Sequence, residues 1–345
     1  MIGYAGALHY SDNYRNEELR KVTFNDIQKF VPSEVYRELT QSSPYRATVA
    51  TNPESLEQHM PFYTIRMGYL WTMSATSKIF QIPVAQATYW VASFFAGLCV
   101  LVLGLMFNLS QLWWLLLFPL ALHLAGLTEV ASLSTPDSMA AFFALTAWYL
   151  YQKNRRWWTL LPLTLLPLVR TDFIIIAGIL GIFSFLNKRQ VQAVLYFVLP
   201  ALMYIYVNKV NANYGYLKIF NFTLIGIDPF PATMHIQTTL MPYLNAYAEG
   251  FGAFVGHKHF ILFTLYGLCW FKYIRPQKKS LLNQQVGLVL GFVLFHMLLF
   301  PAYYQRFFAW CAAIAGLQLA TWIYEIRGAH RIRKSSAIPF SEKTL

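Results

Sequence analysis

Long apolar runs alternate with polar connections over most of the 345-residue chain after position 83. A membrane-spanning helix needs about 20 predominantly apolar residues. The run 137–151 falls slightly short of that length. The runs that reach or approach it are 84–107, 111–128, 191–207, 259–274, 283–300 and 307–324. The pattern predicts an all-α, polytopic membrane domain over residues 83–326.

The segment 157–186 departs from this pattern because Arg170-Thr171-Asp172 interrupts it at the centre. Each apolar arm has about 13–14 residues and reaches about 20 Å, which is short of the ~30 Å hydrocarbon core. We therefore predict a hairpin whose tip stops inside the membrane boundary. With the hairpin included, the domain has about nine membrane helices.

Two polar segments flank these runs. The pattern of residues 1–82 predicts short helices and loops, and that of residues 208–258 predicts a loop, which is rich in Asn, Tyr and Pro. Near the end of the first segment, apolar side chains recur at steps of three and four, which predicts an amphipathic helix in the membrane interface plane. These side chains are Phe62, Ile65, Tyr69, Met73 and Phe80.

The composition agrees with a membrane protein. The chain is 57% apolar and 12% charged, whereas average soluble domains are about 45–50% apolar and about 25% charged. This excludes a disordered chain, a coiled coil and an ordinary soluble enzyme. The cysteines Cys99, Cys269 and Cys311 lie far apart in apolar runs, without the spacing of a disulfide framework or a zinc site. The net charge of +12 does not indicate nucleic acid, because its basic residues sit in short groups between apolar runs.

Those basic groups occupy alternate connections, and the positive-inside rule assigns that side to the cytoplasm. The groups are Lys153, Arg155 and Arg156; Lys188 and Arg189; Lys272, Arg275, Lys278 and Lys279; and Arg327, Arg331, Arg333 and Lys334. We therefore expect an integral membrane protein, as in a bacterial inner (plasma) membrane, with the basic tail 327–345 in the cytoplasm. Residues 1–82 and 208–258 are then external.

An external N-terminal segment needs a preceding signal for export, and residues 1–82 contain neither a signal peptide nor a span. We expect that the chain starts late and that a first transmembrane helix precedes Met1. The alternative is that the span 84–107 inserts and translocates its own N-terminal tail.

Charged residues at membrane depth are expensive and therefore informative. The external ends of the predicted spans carry Glu129, Asp137, Arg170, Asp172 and Arg306, and the interfacial helix adds Arg66. Each has a structural alternative, such as a helix-terminus charge, an internal ion pair or a snorkelling arginine. Together they suit a lipid-linked phosphate and an acceptor hydroxyl, because arginine binds phosphate in a bidentate manner and a carboxylate accepts a proton.

Other chemistry finds less support. His123 and His296 lie inside apolar runs and predict packed, hydrogen-bonded helix residues rather than metal ligands. His257 and His259 lack a third ligand at usable spacing, so no metal ligand is predicted, although a divalent metal stays open. No phosphate-binding glycine-rich loop is present, which argues against nucleotide-driven chemistry.

Four short motifs occur in a characteristic order: Pro-Phe-Tyr-Thr-Ile-Arg (61–66), Thr-Pro-Asp-Ser (135–138), Leu-Val-Arg-Thr-Asp (168–172) and Phe-Pro-Ala-Tyr-Tyr-Gln-Arg-Phe (300–307). This order resembles the GT-C superfamily of integral-membrane glycosyltransferases. The resemblance implies transfer of a sugar from a polyprenyl-phosphate donor to a glycan or lipid acceptor hydroxyl at the external face of the bilayer. It does not imply a nucleic-acid partner.

The resemblance also implies roles for individual residues. The stretch Gly3-Tyr4-Ala5-Gly6-Ala7 looks like the part just after the family's catalytic acid, which would place that acid before Met1. Asp12 could substitute for it, and Asp137 resembles the second acidic position. Donor-phosphate or substrate-binding roles fall to Tyr63, Arg66, Glu129, Arg170, Asp172 and Arg306. The competing hypotheses are a transporter or flippase of a lipid-linked or anionic solute, and a non-catalytic, truncated family member.

Overall fold

The computed structural model describes residues 1–107, 114–211, 213–275 and 280–336. Its regular structure consists of eighteen α-helices with short 3₁₀ and π turns, which confirms the predicted all-α class. Lys278, Lys279 and residues 337–345 lie outside the described residues, as does part of the predicted span 111–128.

Six helices form the N-terminal segment, and α1 lies at their centre. Its alanine-rich face packs closely, since Ala5 and Ala7 are fully buried, and it contacts helices on several sides. The six helices are α1 (Ile2–Ser11), α2 (Asn16–Phe30), α3 (Ser33–Gln41), α4 (Pro44–Thr51), α5 (Pro53–Thr64) and α6 (Met67–Phe80). The predicted short helices therefore form a packed layer.

The prediction of one continuous amphipathic helix from Phe62 to Phe80 is wrong, because the helix is interrupted at residues 65–66, between α5 and α6. Pro61 lies inside α5, where it lacks an N–H for the helix ladder, and the Arg66 side chain donates to the Phe62 carbonyl oxygen. Tyr69 and Met73 are fully buried against protein, whereas Phe80 is exposed. The membrane placement of this segment stays a prediction.

The membrane-length helices agree with the predicted spans. Within the described ranges, four helices are long and apolar enough to cross a membrane: α7 (Val84–Met106), α13 (Gln190–Val210), α17 (Ser280–Leu299) and α18 (Gln305–Ser336). The other predicted spans correspond to shorter helices: α8 (Trp114–Leu124), α10 (Asp137–Gln152) and α16 (Lys258–Cys269), the last followed by a π turn to Ile274. Helix α18 is the most buried of the four, and α13 exposes most of its apolar surface.

The interrupted segment forms the predicted hairpin. Its arms are α11 (Arg156–Val169) and α12 (Ile174–Leu186), joined by extended backbone at Arg170 and a 3₁₀ turn over Thr171–Phe173. Both arms are too short to cross the hydrocarbon core in a straight line. The tip lies beside the first turn of α10, where Arg170 contacts Asp137.

Residues 208–258 contain more structure than the predicted loop. They hold α14 (Tyr216–Phe220), a π turn, and α15 (Leu240–Val255). Helix α15 carries an apolar stripe at steps of three and four, and it packs so closely on the chain before α18 that a Cβ on Gly250 would lie 1.7 Å from the Pro301 carbonyl oxygen. The loop prediction was wrong here because the Asn and Pro content of the flanking residues hid the stripe.

Several connections meet at one end of the helices, here named the loop end. It comprises residues 1–66, the short helix α9 (Leu127–Ala131), the hairpin tip, residues 213–257 and residues 300–306. The Tyr214 hydroxyl donates to the Gln58 carbonyl oxygen at 2.8 Å, and the rings of Phe62 and Phe222 stack at 4.6 Å. The polar groups of these segments therefore share one compact region.

Candidate functional site

A buried ion-pair network lies at the loop end. The Arg170 guanidinium donates from Nε to Asp172 Oδ1 at 3.0 Å and from Nη2 to Asp172 Oδ2 at 2.7 Å, and its Nη1 donates to Asp137 Oδ1. Asp137 opens α10 directly after Pro136, and only 3% of its side chain is exposed. The hairpin thus brings one arginine between two carboxylates from different parts of the chain.

Two further residues extend the network. His296 of α17 lies with Nε2 3.0 Å from Asp172 Oδ2, and Arg306 of α18 lies with Nε 3.5 Å from Asp137 Oδ2. The resulting set is named the ionic cluster and comprises Asp137, Arg170, Asp172, His296 and Arg306. With a neutral histidine its formal charges cancel, which is the condition for keeping carboxylates in a buried site.

The two arginines differ in what they can do. Arg170 is almost fully buried, and its guanidinium lies 3.9 Å from the Phe307 ring centroid, so both its edges and one face are engaged. The Arg306 side chain is 35% exposed, although its Nε atom is itself buried, and this Nε has no hydrogen-bond partner among the described residues. Arg306 is therefore the arginine of the cluster with donors available to a ligand.

Tyrosines form a wall next to the cluster. The Tyr4 ring lies 5.1 Å from the rings of both Tyr63 and Tyr69 in edge-to-face contacts, and the Arg66 guanidinium lies 5.8 Å from the Tyr4 ring centroid. Burial raises the pKa of Tyr4 to about 12, although Arg66 opposes the shift. The phenol therefore stays protonated at neutral pH and can donate a hydrogen bond.

The structure separates the predicted site residues into three groups. Asp137, Arg170, Asp172 and Arg306 contact one another, and Tyr63 and Arg66 belong to the tyrosine wall.

Asp12 and Glu129 stand apart from both groups. Both are exposed, and neither forms an ion pair with any described residue. Asp12 follows the last turn of α1, eight residues from Tyr4, which at about 1.5 Å per residue is about 12 Å along the helix. A catalytic role for Asp12 therefore has no support from its position.

His296 is the residue that the sequence reasoning missed. It was assigned a packed, hydrogen-bonded role, and it is buried with a hydrogen bond, but its partner is a carboxylate of the site. Because Nε2 faces Asp172, this nitrogen carries the proton, and Nδ1 has no partner among the described residues. A polar residue within an apolar run was the available signal, by the same reasoning that selected Asp137.

No three His, Cys, Asp or Glu side chains come together as metal ligands in the part of the chain that the structure describes. Comparisons of the chain with models of protein families, with curated proteins and with solved structures find no significant match. The part of the chain that the structure describes is all-helical, with four helices long and apolar enough to cross a membrane and a buried ionic cluster at the loop end.

Proposed function

We propose that the chain is an integral-membrane glycosyltransferase that moves a sugar from a polyprenyl-phosphate donor to a hydroxyl of a glycan or lipid at the non-cytoplasmic face. The observation that supports it best is the pairing of Arg306, partly exposed and without a hydrogen bond at Nε, with the buried carboxylate of Asp137. A phosphate-binding donor next to a proton acceptor is the minimum that this reaction needs. The apolar, exposed face of α13 suits a lipid environment.

The geometry favours different roles for Arg306 and Arg170. Arg306 binds the donor phosphate, and Arg170 holds Asp137 and Asp172 in place as a positioning residue. When Arg306 turns to the phosphate, Oδ2 of Asp137 loses its cationic neighbour and becomes free to accept a proton. Donor binding and exposure of the base are then coupled through one side chain.

The reaction balances with these groups. The acceptor oxygen attacks the anomeric carbon, the bond from that carbon to the phosphate oxygen breaks, and the hydroxyl proton passes to Asp137. The polyprenyl phosphate leaves as an anion that Arg306 stabilises, an electrostatic contribution typical of enzymes that bind developing charge. The tyrosine wall next to the cluster offers phenol donors and ring faces for the sugar.

The test is transfer from radiolabelled polyprenyl-phosphate hexoses and pentoses into the glycan and lipid fractions of membranes that contain the chain. We expect transfer with the wild-type chain, its loss with Arg306→Ala and with Asp137→Asn, and wild-type transfer with Arg37→Ala, an exposed arginine of α3.

Two results would contradict the proposal. Passage of the intact sugar–lipid across the bilayer without its consumption would indicate the transporter hypothesis. Membranes in which no donor is consumed, although the chain is folded, would indicate a non-catalytic protein.

A further inference from the structure

A second polar cluster lies at the loop end, outside the ionic cluster. His257 and His259 flank the start of α16, and Tyr303 lies in the connection between α17 and α18. The Tyr303 hydroxyl oxygen lies 2.8 Å from His257 Nδ1 and 2.7 Å from His259 Nδ1. His259 is fully buried, whereas His257 and Tyr303 are partly exposed.

The outer nitrogens of both rings fix where the protons are. His257 Nε2 lies 3.0 Å from Gln305 Oε1, and His259 Nε2 lies 3.1 Å from the Ala125 carbonyl oxygen. A carbonyl oxygen only accepts, so each Nε2 carries the proton and each Nδ1 is an acceptor that faces the Tyr303 hydroxyl. His257 Nδ1 also accepts from the backbone N–H of His259 at 3.2 Å. The phenol has one proton for two such nitrogens. One of the two short oxygen–nitrogen contacts therefore has no hydrogen between its atoms. A cation bound between the two nitrogens and the oxygen would replace the missing hydrogen bond.

We propose that His257 Nδ1, His259 Nδ1 and the Tyr303 oxygen bind a divalent transition-metal ion of the zinc class. Imidazole nitrogens suit such ions, and metal-bound histidines usually donate their other N–H to a carbonyl or carboxylate, as both do here. Tetrahedral coordination at about 2.0–2.1 Å places ligand atoms about 3.3 Å apart. Each Nδ1 needs to move about 0.5 Å away from the Tyr303 oxygen, and the ion displaces the backbone N–H of His259 from His257 Nδ1.

The charge of the site and the exposure of its side chains fit one bound ion that keeps an open coordination position. The ion replaces the phenolic proton of Tyr303, so that each divalent ion bound releases one proton and the site gains a single positive charge. This offsets part of the repulsion from Lys258 and Arg306, the nearby cations. Partial exposure of His257 and Tyr303 leaves room for a water or a further ligand.

The neighbouring rings hold Tyr303 in position. Its ring stacks on Phe308 at 5.3 Å with 3° between the planes, and Phe254 packs at 5.2 Å. Tyr303 lies three residues before Arg306, so an ion here would tie the start of α16 to the connection that presents this arginine. The metal site itself does not depend on the proposed transferase activity.

A neutral arrangement is the competing explanation. Gln305 Nε2 is buried without an acceptor. If the amide is turned over, this nitrogen donates to His257 Nε2, and His257 Nδ1–H then donates to Tyr303, which donates to His259. That arrangement removes His257 Nδ1 as the acceptor of the His259 backbone N–H, but it needs no ion and predicts no metal binding.

The test is a titration of the full chain, purified in detergent through a tag without histidine and stripped with a chelator. Co²⁺ is added first and Zn²⁺ second, without any other ligand. We expect one Co²⁺ per chain with visible ligand-field bands, displacement by Zn²⁺, and a higher thermal midpoint with the ion bound. His259→Ala and Tyr303→Phe should weaken binding by ~100-fold or more, and Gln305→Ala by ~10–100-fold.

The controls separate this site from adventitious binding. His235→Ala removes an exposed histidine and should bind as the wild type does. Tyr303→Phe keeps the ring that stacks on Phe308, so it decides the question if His259→Ala does not fold. A folded wild-type chain that binds no stoichiometric Co²⁺, or a Tyr303→Phe variant that binds with unchanged affinity, would overturn the proposal.

Discussion

Arg170→Ala is expected to destabilise the folded protein strongly rather than only inactivate it. The substitution removes the guanidinium that contacts both Asp137 and Asp172, which arrive from α10 and from the hairpin tip. Among the described residues, Asp137 then keeps only Arg306, 3.5 Å away, and Asp172 keeps only His296. The formal charge of the ionic cluster falls from zero to minus one within a site where Asp137 is 3% exposed.

The magnitude follows from burial. Removing one partner of a buried ion pair costs about 3–5 kcal/mol, because the remaining charge keeps its desolvation cost and loses its attraction. Native proteins are stable by about 5–15 kcal/mol, so the loss is a large fraction of the total. Arg306→Ala should cost at most about 1 kcal/mol, because the side chain is 35% exposed and its contact with Asp137 is longer than a hydrogen bond.

The assay measures folding and transfer in the same samples. Size-exclusion elution and the thermal midpoint in detergent report the folded state, and label transfer in membranes reports activity. We expect Arg170→Ala to lose folded protein and Arg306→Ala to lose transfer while it keeps its thermal midpoint. The triple variant Arg170→Met, Asp137→Asn, Asp172→Asn removes the three buried charges together, leaves the partly exposed Arg306, and should recover much of the lost stability. An Arg170→Ala protein with wild-type thermal stability and no transfer would refute this reasoning.

Three further predictions test the packing, the orientation and the pH response. Gly250→Ala should lower the thermal midpoint, because its Cβ would lie 1.7 Å from the Pro301 carbonyl oxygen. Gly252→Ala on the same helix meets nothing within 4 Å and should stabilise the fold by up to about 1 kcal/mol. Equal midpoints for the two variants would contradict the packing of α15. A cysteine at Asp228 should react with an impermeant reagent in intact cells and one at Lys153 only after permeabilisation; the reverse pattern would contradict the orientation. Burial lowers the pKa of His59, so folding stability should fall as the pH drops below 6.5, the pKa of this histidine in the unfolded chain. His59→Gln should reduce the loss of stability between about pH 7.5 and about pH 5. A loss of stability that is unchanged in this variant would contradict the role of His59.

The apolar pattern predicted the long helices closely. The run 84–107 corresponds to α7 at Val84–Met106, and the hairpin arms lie where the two short apolar arms were expected. Helix α15 was missed although its stripe from Leu240 to Phe254 has helical spacing, because turn-forming residues around it dominated the composition. The break between α5 and α6 was missed because the apolar pattern continues across Ile65 and Arg66, where the Arg66 side chain donates to the Phe62 carbonyl oxygen.

The candidate site was predictable by residue type but not by pairing. The free-energy cost of placing a charged side chain at membrane depth singled out Asp137, Arg170 and Arg306 in the sequence. The pair of Arg170 with Asp137 joins residues 33 positions apart, and that of Asp172 with His296 joins residues 124 apart. Such contacts depend on how α10, the hairpin and α17 pack together, and no local pattern encodes that packing. The difference between a buried and an exposed arginine is likewise a property of the fold.

The most direct measurement of the central claim is equilibrium binding of polyprenyl phosphate to the purified chain, with neutral polyprenol as the reference ligand. The account predicts that the phosphate increases affinity and that Arg306→Ala removes most of this increase, by ~10-fold or more, equivalent to about 1.4 kcal/mol. Arg306→Lys should retain part of it, and Arg37→Ala all of it. Equal affinity for polyprenyl phosphate and polyprenol, or phosphate-dependent binding unchanged in Arg306→Ala, would contradict the account.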